Sequence, residues 1–448
     1  MAQTIYALAS GAGRAGVAVI RLSGPEALAT LKALSGDAPA AARMLRRVRL
    51  ADPETGAALD DGMAVAFPGP HSYTGEDVVE LHMHGGTAVL ASILEALGRR
   101  PGLRLAEPGE FTRRAVFAGK MDLTAAEGLL DLIEAETDAQ RRQALRQADG
   151  ALGRLYDEWR AALVGALAHL EAEIDFPDEG LPDDLAASVR QELAALEDTM
   201  ARHLDDDRRG ERLRQGVRIA IVGPPNAGKS SLLNLLAQRD AAIVAATAGT
   251  TRDVIEVRLD LGGYPVLLGD TAGIRDAADE IEAEGVRRAR KWAEEADLKI
   301  VVLAADGRRG DAPEGGDGAV ADLIDGDTAL VINKIDLRPP AEMPATPALG
   351  IFPLSVRTGQ GVDAFLSALG AAVQQRIGLG DAPLVTRARH RDAVLECRAA
   401  LARAAVAALP ELAAEDLRLA VRALGRITGA VDVEELLDVI FRDFCIGK

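Results

Sequence analysis

The chain has 448 residues, 48% hydrophobic and 27% charged, enough for about three ordinary domains with self-sufficient cores. Asp and Glu number 69 against 51 Lys and Arg, a net charge of −18, which excludes a surface-wide electrostatic grip on nucleic acid and leaves room only for a local basic patch. Two cysteines, Cys397 and Cys445, exclude a disulfide-stapled class, and no apolar run approaches the roughly 20 residues of a membrane span. The opening Met1-Ala2-Gln3-Thr4-Ile5-Tyr6 lacks the basic and apolar regions of a signal peptide, so a cytoplasmic protein with no membrane partner is expected.

Val17 to Leu22 and Asp77 to His82 read as β-rich runs separated by Gly- and Pro-containing turns, so residues 1–118 are expected to form a small α+β domain. After Met121 the pattern turns helical, with Thr124 and Glu127 spaced as a capping box before Leu129, Leu130 and Ile133. Leu152, Leu155, Trp159, Leu163, Leu167, Leu170 and Ile174 then recur every three or four residues up to Pro177. Val189, Leu193, Leu196, Met200 and Leu204 repeat the pattern. Such leucine stripes are bundle core rather than sites. The charged run Asp205 to Gly210 has little apolar area to bury and reads as a boundary.

Beyond Gly216 short β-branched runs alternate with helical stretches: Val217 to Val222, Val254 to Leu259, Val266 to Leu268, Ile300 to Leu303 and Leu330 to Ile332. That alternation predicts a parallel sheet covered on both faces, a doubly wound α/β domain over residues 215–376. The chain then returns to Ala/Leu-rich helix, with Asp432 and Glu435 as a second capping box. Helical stretches on both sides predict an insertion, with 119–214 and 377–448 joining as one bundle.

The strand Val217 to Val222 leads into Gly223-Pro-Pro-Asn-Ala-Gly228-Lys229-Ser230, a phosphate loop in strand-to-helix context. Its backbone N–H groups converge on phosphate oxygens, Lys229 supplies a cation and Ser230 a hydroxyl for Mg²⁺. Asn333-Lys334-Ile335-Asp336 follows a later strand, where Asp336 can accept two hydrogen bonds from guanine that adenine does not offer, so the nucleotide should be GTP. Asp270-Thr271-Ala272-Gly273 lies between them. Asp270 suits polarising a Mg²⁺-bound water, and the Gly273 N–H can approach the γ-phosphate. Thr250 and Thr251 are candidates for closing over the metal, and Ser355-Val356-Arg357 for backbone contacts to the base. Ile274 stands where a water-orienting glutamine is usual. The acids Asp276, Asp279, Glu280, Glu282 and Glu284, or a monovalent cation beside the phosphates, remain as substitutes.

These motifs, with Tyr73-Thr-Gly-Glu-Asp77, His82-Met-His-Gly-Gly86, Pro108-Gly-Glu-Phe-Thr-Arg-Arg114, Gly119-Lys-Met-Asp-Leu-Thr124 and the terminal Cys445-Ile-Gly-Lys448, closely resemble the TrmE-type family of tRNA-modifying GTPases along nearly the whole chain. The resemblance implies a homodimer joined through an N-terminal folate-binding domain, with a G domain inserted in a helical domain. It implies joint action with the flavoprotein MnmG, as a heterotetramer, on the wobble uridine of tRNA. An aminomethyl or carboxymethylaminomethyl group would be built on carbon 5 from 5-formyl- or methylene-tetrahydrofolate. It also implies GTP hydrolysis coupled to K⁺-promoted dimerisation of the G domains.

Carried over by position, nucleotide contacts would come from Asn226, Ala227, Gly228, Lys229, Ser230, Ser231, Ala245, Ala246, Thr247, Ala248, Gly249, Thr250, Thr251, Asp270, Thr271, Ala272, Gly273, Asn333, Lys334, Asp336, Ser355, Val356 and Arg357. Mg²⁺ would be held by Ser230 and Thr251. K⁺ would be held by Asn226, Thr250 and the carbonyls of Ala245 and Thr247, good hard-cation chemistry. Glu282 would orient the water, with Lys229 and Asp270 also catalytic. Folate would be bound by Arg21, Glu80, Lys120 and Lys448, and Cys445 would serve the modification chemistry. Cys397, on an Ala/Leu helix, reads as core. A GTP-gated RNA-binding or ribosome-assembly switch is the alternative, but the acidic balance and the terminal tetrapeptide fit it poorly.

Overall fold

The computed structural model describes residues 3–36, 42–175, 183–224, 226–239, 255–270, 292, 294–305, 324–338, 349–378, 380, 383–431, 437, 440–442 and 444–447. They fall into two compact units: Met1–Leu130 with Gln147–Ala161 and Val421–Lys448, and Asp131–Arg146 with Ala162–Ala420.

The first unit is built on a six-stranded sheet of β1 (Thr4–Leu8), β2 (Ala15–Ser23), β3 (Arg46–Ala51), β4 (Ala58–Phe67), β5 (Val78–Gly85) and β6 (Leu103–Leu105), in the order β3-β4-β5-β2-β1-β6. Only the β1–β6 pair is parallel. Both β-rich runs of the sequence lie in central strands. Ile20 and Leu22 of β2 and Val79 and Leu81 of β5 pack with Leu31 and Leu34 of α1 (Ala27–Ser35) and Ile93 and Leu97 of α2 (Thr87–Gly98). Because side chains alternate along a strand, the intervening Arg21 and Glu80 emerge on the opposite face. They are Cα partners across the β2–β5 ladder. Helix α3 (Glu110–Phe117) contributes Phe111 to a small cluster with Ile5 and Ala7.

Helix α4 (Leu123–Glu134) begins earlier than the Thr124 capping box predicts. Asp122 is the cap: its Oδ1 accepts from the Ala125 N–H at 2.8 Å and from the Thr124 hydroxyl at 2.6 Å, leaving Thr124 and Glu127 buried inside the helix. A capping box does occur at α5 (Asp138–Ala148), where Thr137 Oγ1 accepts from Gln140 N at 3.4 Å and Gln140 Oε1 accepts from Thr137 N at 3.1 Å. Helix α6 (Ala151–Asp175) buries Leu152, Trp159 and Leu163, whereas Leu167, Leu170 and Ile174 stay half-buried. Helices α4 and α6 each contribute to both units, changing over after Leu130 and Ala161. The Asp432–Glu435 box lies outside the described residues.

In the second unit α7 (Asp183–Leu204) is followed by α8 (Arg209–Gln215). The charged run between them is largely exposed, and two of its acids are in ion pairs: Asp206 binds Arg391 at 2.7 Å and Asp207 binds Arg212 at 2.9 Å. The sheet comprises β7 (Val217–Val222), β8 (Ile255–Leu261), β9 (Tyr264–Asp270), β10 (Leu298–Ala304), β11 (Thr328–Asn333) and β12 (Gly350–Pro353), in the order β12-β11-β10-β7-β9-β8. The expected parallel sheet carries one antiparallel edge strand. The two-residue turn Gly262-Gly263 is too short for a crossover, so β8 runs antiparallel to β9.

Val217, Ile219 and Ile221 pack with Leu232 and Leu236 of α9 (Lys229–Arg239) and Phe365 and Leu369 of α10 (Val362–Ile377). On the other face Ala220, Val222, Val301 and Ile332 meet Trp292. Two-sided burial explains why these strands read as continuous apolar runs. Helices α11 (Ala388–Val406) and α12 (Pro410–Thr428) complete the described elements. Cys397 on α11 lies 3.9 Å from Met200 Sδ on α7, and burial pushes its thiol up to about 12: it is a core residue. Among the described residues no helix is long and apolar enough to cross a membrane.

Candidate functional site

The phosphate loop leaves β7 at its carboxyl end beside β10 and β9. Gly223 has φ +149, and a Cβ there would sit 2.2 Å from the Val302 carbonyl oxygen on β10. At Gly228, with φ +102, a Cβ would sit 2.2 Å from Asn333 Nδ2. Only glycine lets the loop approach both neighbours this closely. Asn226 adopts φ +61, which asparagine tolerates better than most residues, and is exposed. The loop ends at the first turn of α9, whose leading N–H groups have no intrahelical acceptors and favour an anion. Lys229 Nζ donates to the Gly223 and Pro224 carbonyls at 2.8 and 2.9 Å, so its cation lies over the loop. Ser230 and Ser231 are exposed beside it.

The base-reading segment is tied to the same loop. Asn333, 3% exposed at the end of β11, donates through Nδ2 to the Ala227 carbonyl at 2.9 Å and accepts through Oδ1 from the Val356 N–H at 3.1 Å. One buried amide therefore links the phosphate loop, the turn carrying Lys334 and Asp336, and the Ser355-Val356-Arg357 loop. Lys334 has φ +66, and this turn delivers Asp336 to the surface, where its Oδ1 accepts from the buried Ser355 hydroxyl at 2.6 Å. Ser355 thus orients the carboxylate expected to read guanine, a contact that a post-strand serine does not advertise. Asp270 ends β9 as the Cα partner of Ile221, two residues before the loop. Ala245 to Thr251, Thr271 to Gly273 and Glu282 lie outside the described residues.

The folate-assigned residues belong to the first unit. Arg21 Nη2 and Glu80 Oε1 are 2.9 Å apart, and both side chains are about one-fifth exposed. The guanidinium lies 5.4 Å from the Tyr73 ring and 5.8 Å from the Phe111 ring. Tyr73 in turn shares a 2.8 Å hydrogen bond with Thr112, and burial pushes its phenol up. His82 Nε2 stands 3.4 Å from the other Glu80 oxygen. The cation and carboxylate therefore form a preformed pair walled by aromatic rings, not two separate charges. His82 was legible, since Glu80-x-His82 on a strand shares one face; Tyr73 and Phe111 carried no local signal.

Lys120 Nζ donates to the Pro70 carbonyl, on the loop that also carries Tyr73. The carboxyl-terminal segment is docked on this unit. Ile446 bridges Pro108, the Cys445 carbonyl accepts from Gly109 N–H at 3.4 Å, and a Cβ on Gly447 would lie 2.1 Å from the Leu8 carbonyl oxygen. Leu8 follows Ala7, the Cα partner of Arg21, so the exposed Cys445 is held at the end of the strand that adjoins the Arg21–Glu80 pair. Lys448 lies outside the described residues.

Residues 4–120 match the family described as "GTP-binding protein TrmE N-terminus" and residues 123–445 match "MnmE helical domain". Among curated relatives, the tRNA modification GTPase MnmE of Parvibaculum lavamentivorans is 60% identical over the full length of both chains. That of Rhodospirillum rubrum is 55% identical over 99% of each, and that of Paramagnetospirillum magneticum 56% over 100% of each. Among solved structures, the G domain of the T. maritima FeoB iron transporter is 23% identical, covering 35% of this chain and 99% of that one at a TM-score of 0.25. At that score the overlap carries no weight beside the topology above.

Proposed function

This chain belongs to the MnmE family of tRNA modification GTPases, and from that premise we propose that K⁺-promoted hydrolysis of GTP drives a folate-dependent modification of the tRNA wobble uridine. It is a GTP hydrolase that acts in tRNA modification. In the proposed reaction the chain works in the cytoplasm as a homodimer with the flavoprotein MnmG. The product carries an aminomethyl or carboxymethylaminomethyl group on carbon 5, the carbon coming from 5-formyl- or methylene-tetrahydrofolate.

The observation that carries the nucleotide reading is Asn333, which holds the phosphate loop and the base-reading loops on one buried amide. Such preorganisation aims the Gly228 region and Lys229 at phosphate oxygens before GTP arrives. Lys229 then exchanges two loop carbonyls for the outer phosphates. Asp336, oriented by Ser355, accepts from guanine. Mg²⁺ would be held by the Ser230 hydroxyl at the first turn of α9 together with Thr251, both hard oxygen donors, and Asp270, whose backbone ends the adjacent strand, would polarise a metal-bound water. Held there, Mg²⁺ would supply positive charge to offset the charge developing on the phosphates. For K⁺, Asn226 stands exposed on the loop and the remaining ligands would be Ala245, Thr247 and Thr250. Glu282 would position the water.

The docking of Cys445 beside β1 supports its assignment to the modification chemistry, with Arg21, Glu80, Lys120 and Lys448 as the folate set. The proposed partition follows: residues 1–118 bind folate and dimerise, 215–376 hydrolyse GTP, and 119–214 with 377–448 connect them. Two measurements test the reading. Turnover should be faster in K⁺ than in Na⁺, and equal rates would remove the cation from the mechanism. Mass analysis of wobble-uridine nucleosides from cells lacking the protein should show loss of the modified base, and an unchanged profile would overturn the tRNA role.

A further inference from the structure

The segment Asp131–Arg146 clusters with the GTP-binding unit although it lies some 70 residues before the phosphate strand, and its contacts explain why. Asp131 Oδ1, in the last turn of α4, accepts from Arg214 Nε at 2.9 Å and from Arg387 Nη2 at 2.7 Å. Arg214 precedes β7 by three residues, on the incoming connection to the G domain. Arg387 stands at the start of α11, on the outgoing one. One carboxylate, 11% exposed, therefore joins both connections.

Gln140 reinforces the incoming side: while its Oε1 caps α5, its Nε2 donates to the Arg214 carbonyl at 3.0 Å. Arg146 reinforces the outgoing side through the Gly380 carbonyl at 3.0 Å.

The same segment holds the β8–β9 hairpin. Ala139, fully buried at the first turn of α5, donates its otherwise unpartnered N–H to the Gly263 carbonyl at the hairpin turn, 3.1 Å away. Glu136 pairs with Arg258 of β8 at 3.4 Å. From that turn β9 runs about 20 Å to Asp270 beside the phosphate loop. The segment thus holds both the turn and one strand of the hairpin, and Gln140, on the same helix as Ala139, reaches the Arg214 connection that Asp131 also binds.

Helix α4 reaches further. Its first turns pack Leu123, Ala126 and Leu130 against Leu437, Ile440, Phe441 and Phe444, the segment that leads directly into Cys445. We propose that α4 is the coupling element of this GTPase, and that Asp131 and Gln140 are positioning residues which transmit the nucleotide state from the β8–β9 hairpin to the segment carrying Cys445. The inference rests on the GTPase reading above and on no step of the folate chemistry.

Amide-hydrogen exchange of the full chain, with GDP and with a non-hydrolysable GTP analogue, tests it without tRNA, folate or flavoprotein. In the wild-type protein, exchange of peptides spanning residues 437–447 should differ about threefold or more between the two nucleotides. Asp131→Asn removes the shared charge, and Gln140→Glu keeps the cap but loses the donor to Arg214. In both, the difference should shrink to within about 1.5-fold while nucleotide affinity stays within about twofold of wild type. Because Gln140→Glu preserves the capping box, it decides the matter if Asp131→Asn fails to fold. Absence of nucleotide dependence in the wild type, or its retention in Gln140→Glu, would overturn the proposal. Loss of tRNA modification alone would bear on the reading in the preceding section instead.

Discussion

Replacing Asn333 tests whether one buried amide organises the nucleotide site. The side chain makes two hydrogen bonds, to the Ala227 carbonyl at 2.9 Å and from the Val356 N–H at 3.1 Å, and Ala227 is itself 1% exposed. Each such bond contributes about 1 kcal/mol net, so Asn333→Ala forfeits about 2 kcal/mol. If binding must rebuild the loops, that equals about a 30-fold rise in the nucleotide Kd. Asn333→Asp discriminates further. Its carboxylate can still accept from Val356, but its second oxygen would face the Ala227 carbonyl where Nδ2 now donates. A buried charge opposed by an acceptor costs several kcal/mol, so the rise should exceed about 100-fold. Titration with a fluorescent GDP analogue, with thermal unfolding in parallel, measures both variants. Binding by Asn333→Asp as tight as by Asn333→Ala, or Asn333→Ala within about twofold of wild type, would refute the reasoning.

Asp336→Asn should shift preference from guanine toward xanthine nucleotides by about 100-fold or more, read from competition binding, and unchanged GTP affinity would exclude base reading. His203 is pushed down to about 4, first by burial and then by Arg391 and His390, against the opposing pull of Asp206. A folded-state pKa below the unfolded one means that the folded form resists protonation. Stability should be full above pH 6.5 and decline as pH falls toward 4, by at most roughly 3 kcal/mol. Denaturant midpoints at pH 7.5 and 5.0 should therefore differ less for His203→Gln than for wild type; equal differences would remove this histidine from the acid response. Iodoacetamide at pH 8 should alkylate the exposed Cys445 and spare native Cys397, whose buried thiol is held up to about 12. Rapid labelling of Cys397 would contradict its place in the core. Cys445→Ser should abolish tRNA modification with GTP turnover intact, and retained modification would leave the cysteine without a role.

Much of the site was legible because it depends on backbone demands confined to a few neighbours. A phosphate loop needs glycines at two set places before a lysine, and strand runs buried on both faces show themselves as unbroken apolar stretches, so Gly223 to Ser230 and β7, β10 and β11 could be read without coordinates. The Thr124 capping box misled because Asp122 was equally placed to cap and its side chain reached the free N–H. Thr137-x-x-Gln140, which does close a box, passed unnoticed in a polar stretch.

What the chain order by itself determined is local: the glycine loop before Lys229, the Asn333-Lys-Ile-Asp336 tetrapeptide, the helical stripes, and through them the family. Tertiary structure alone decided which distant groups share their charges and hydrogen bonds. Arg21 is committed to Glu80, 59 residues away, beside the Tyr73 and Phe111 rings, and Gly228 is required by the close approach of Asn333. Asp131 serves two arginines, Arg214 before the second sheet in the chain and Arg387 after it. The physical reason is that periodicity and capping act over a few residues, whereas the partner of a buried polar group is set by how the layers close, a distance in space that sequence separation does not encode.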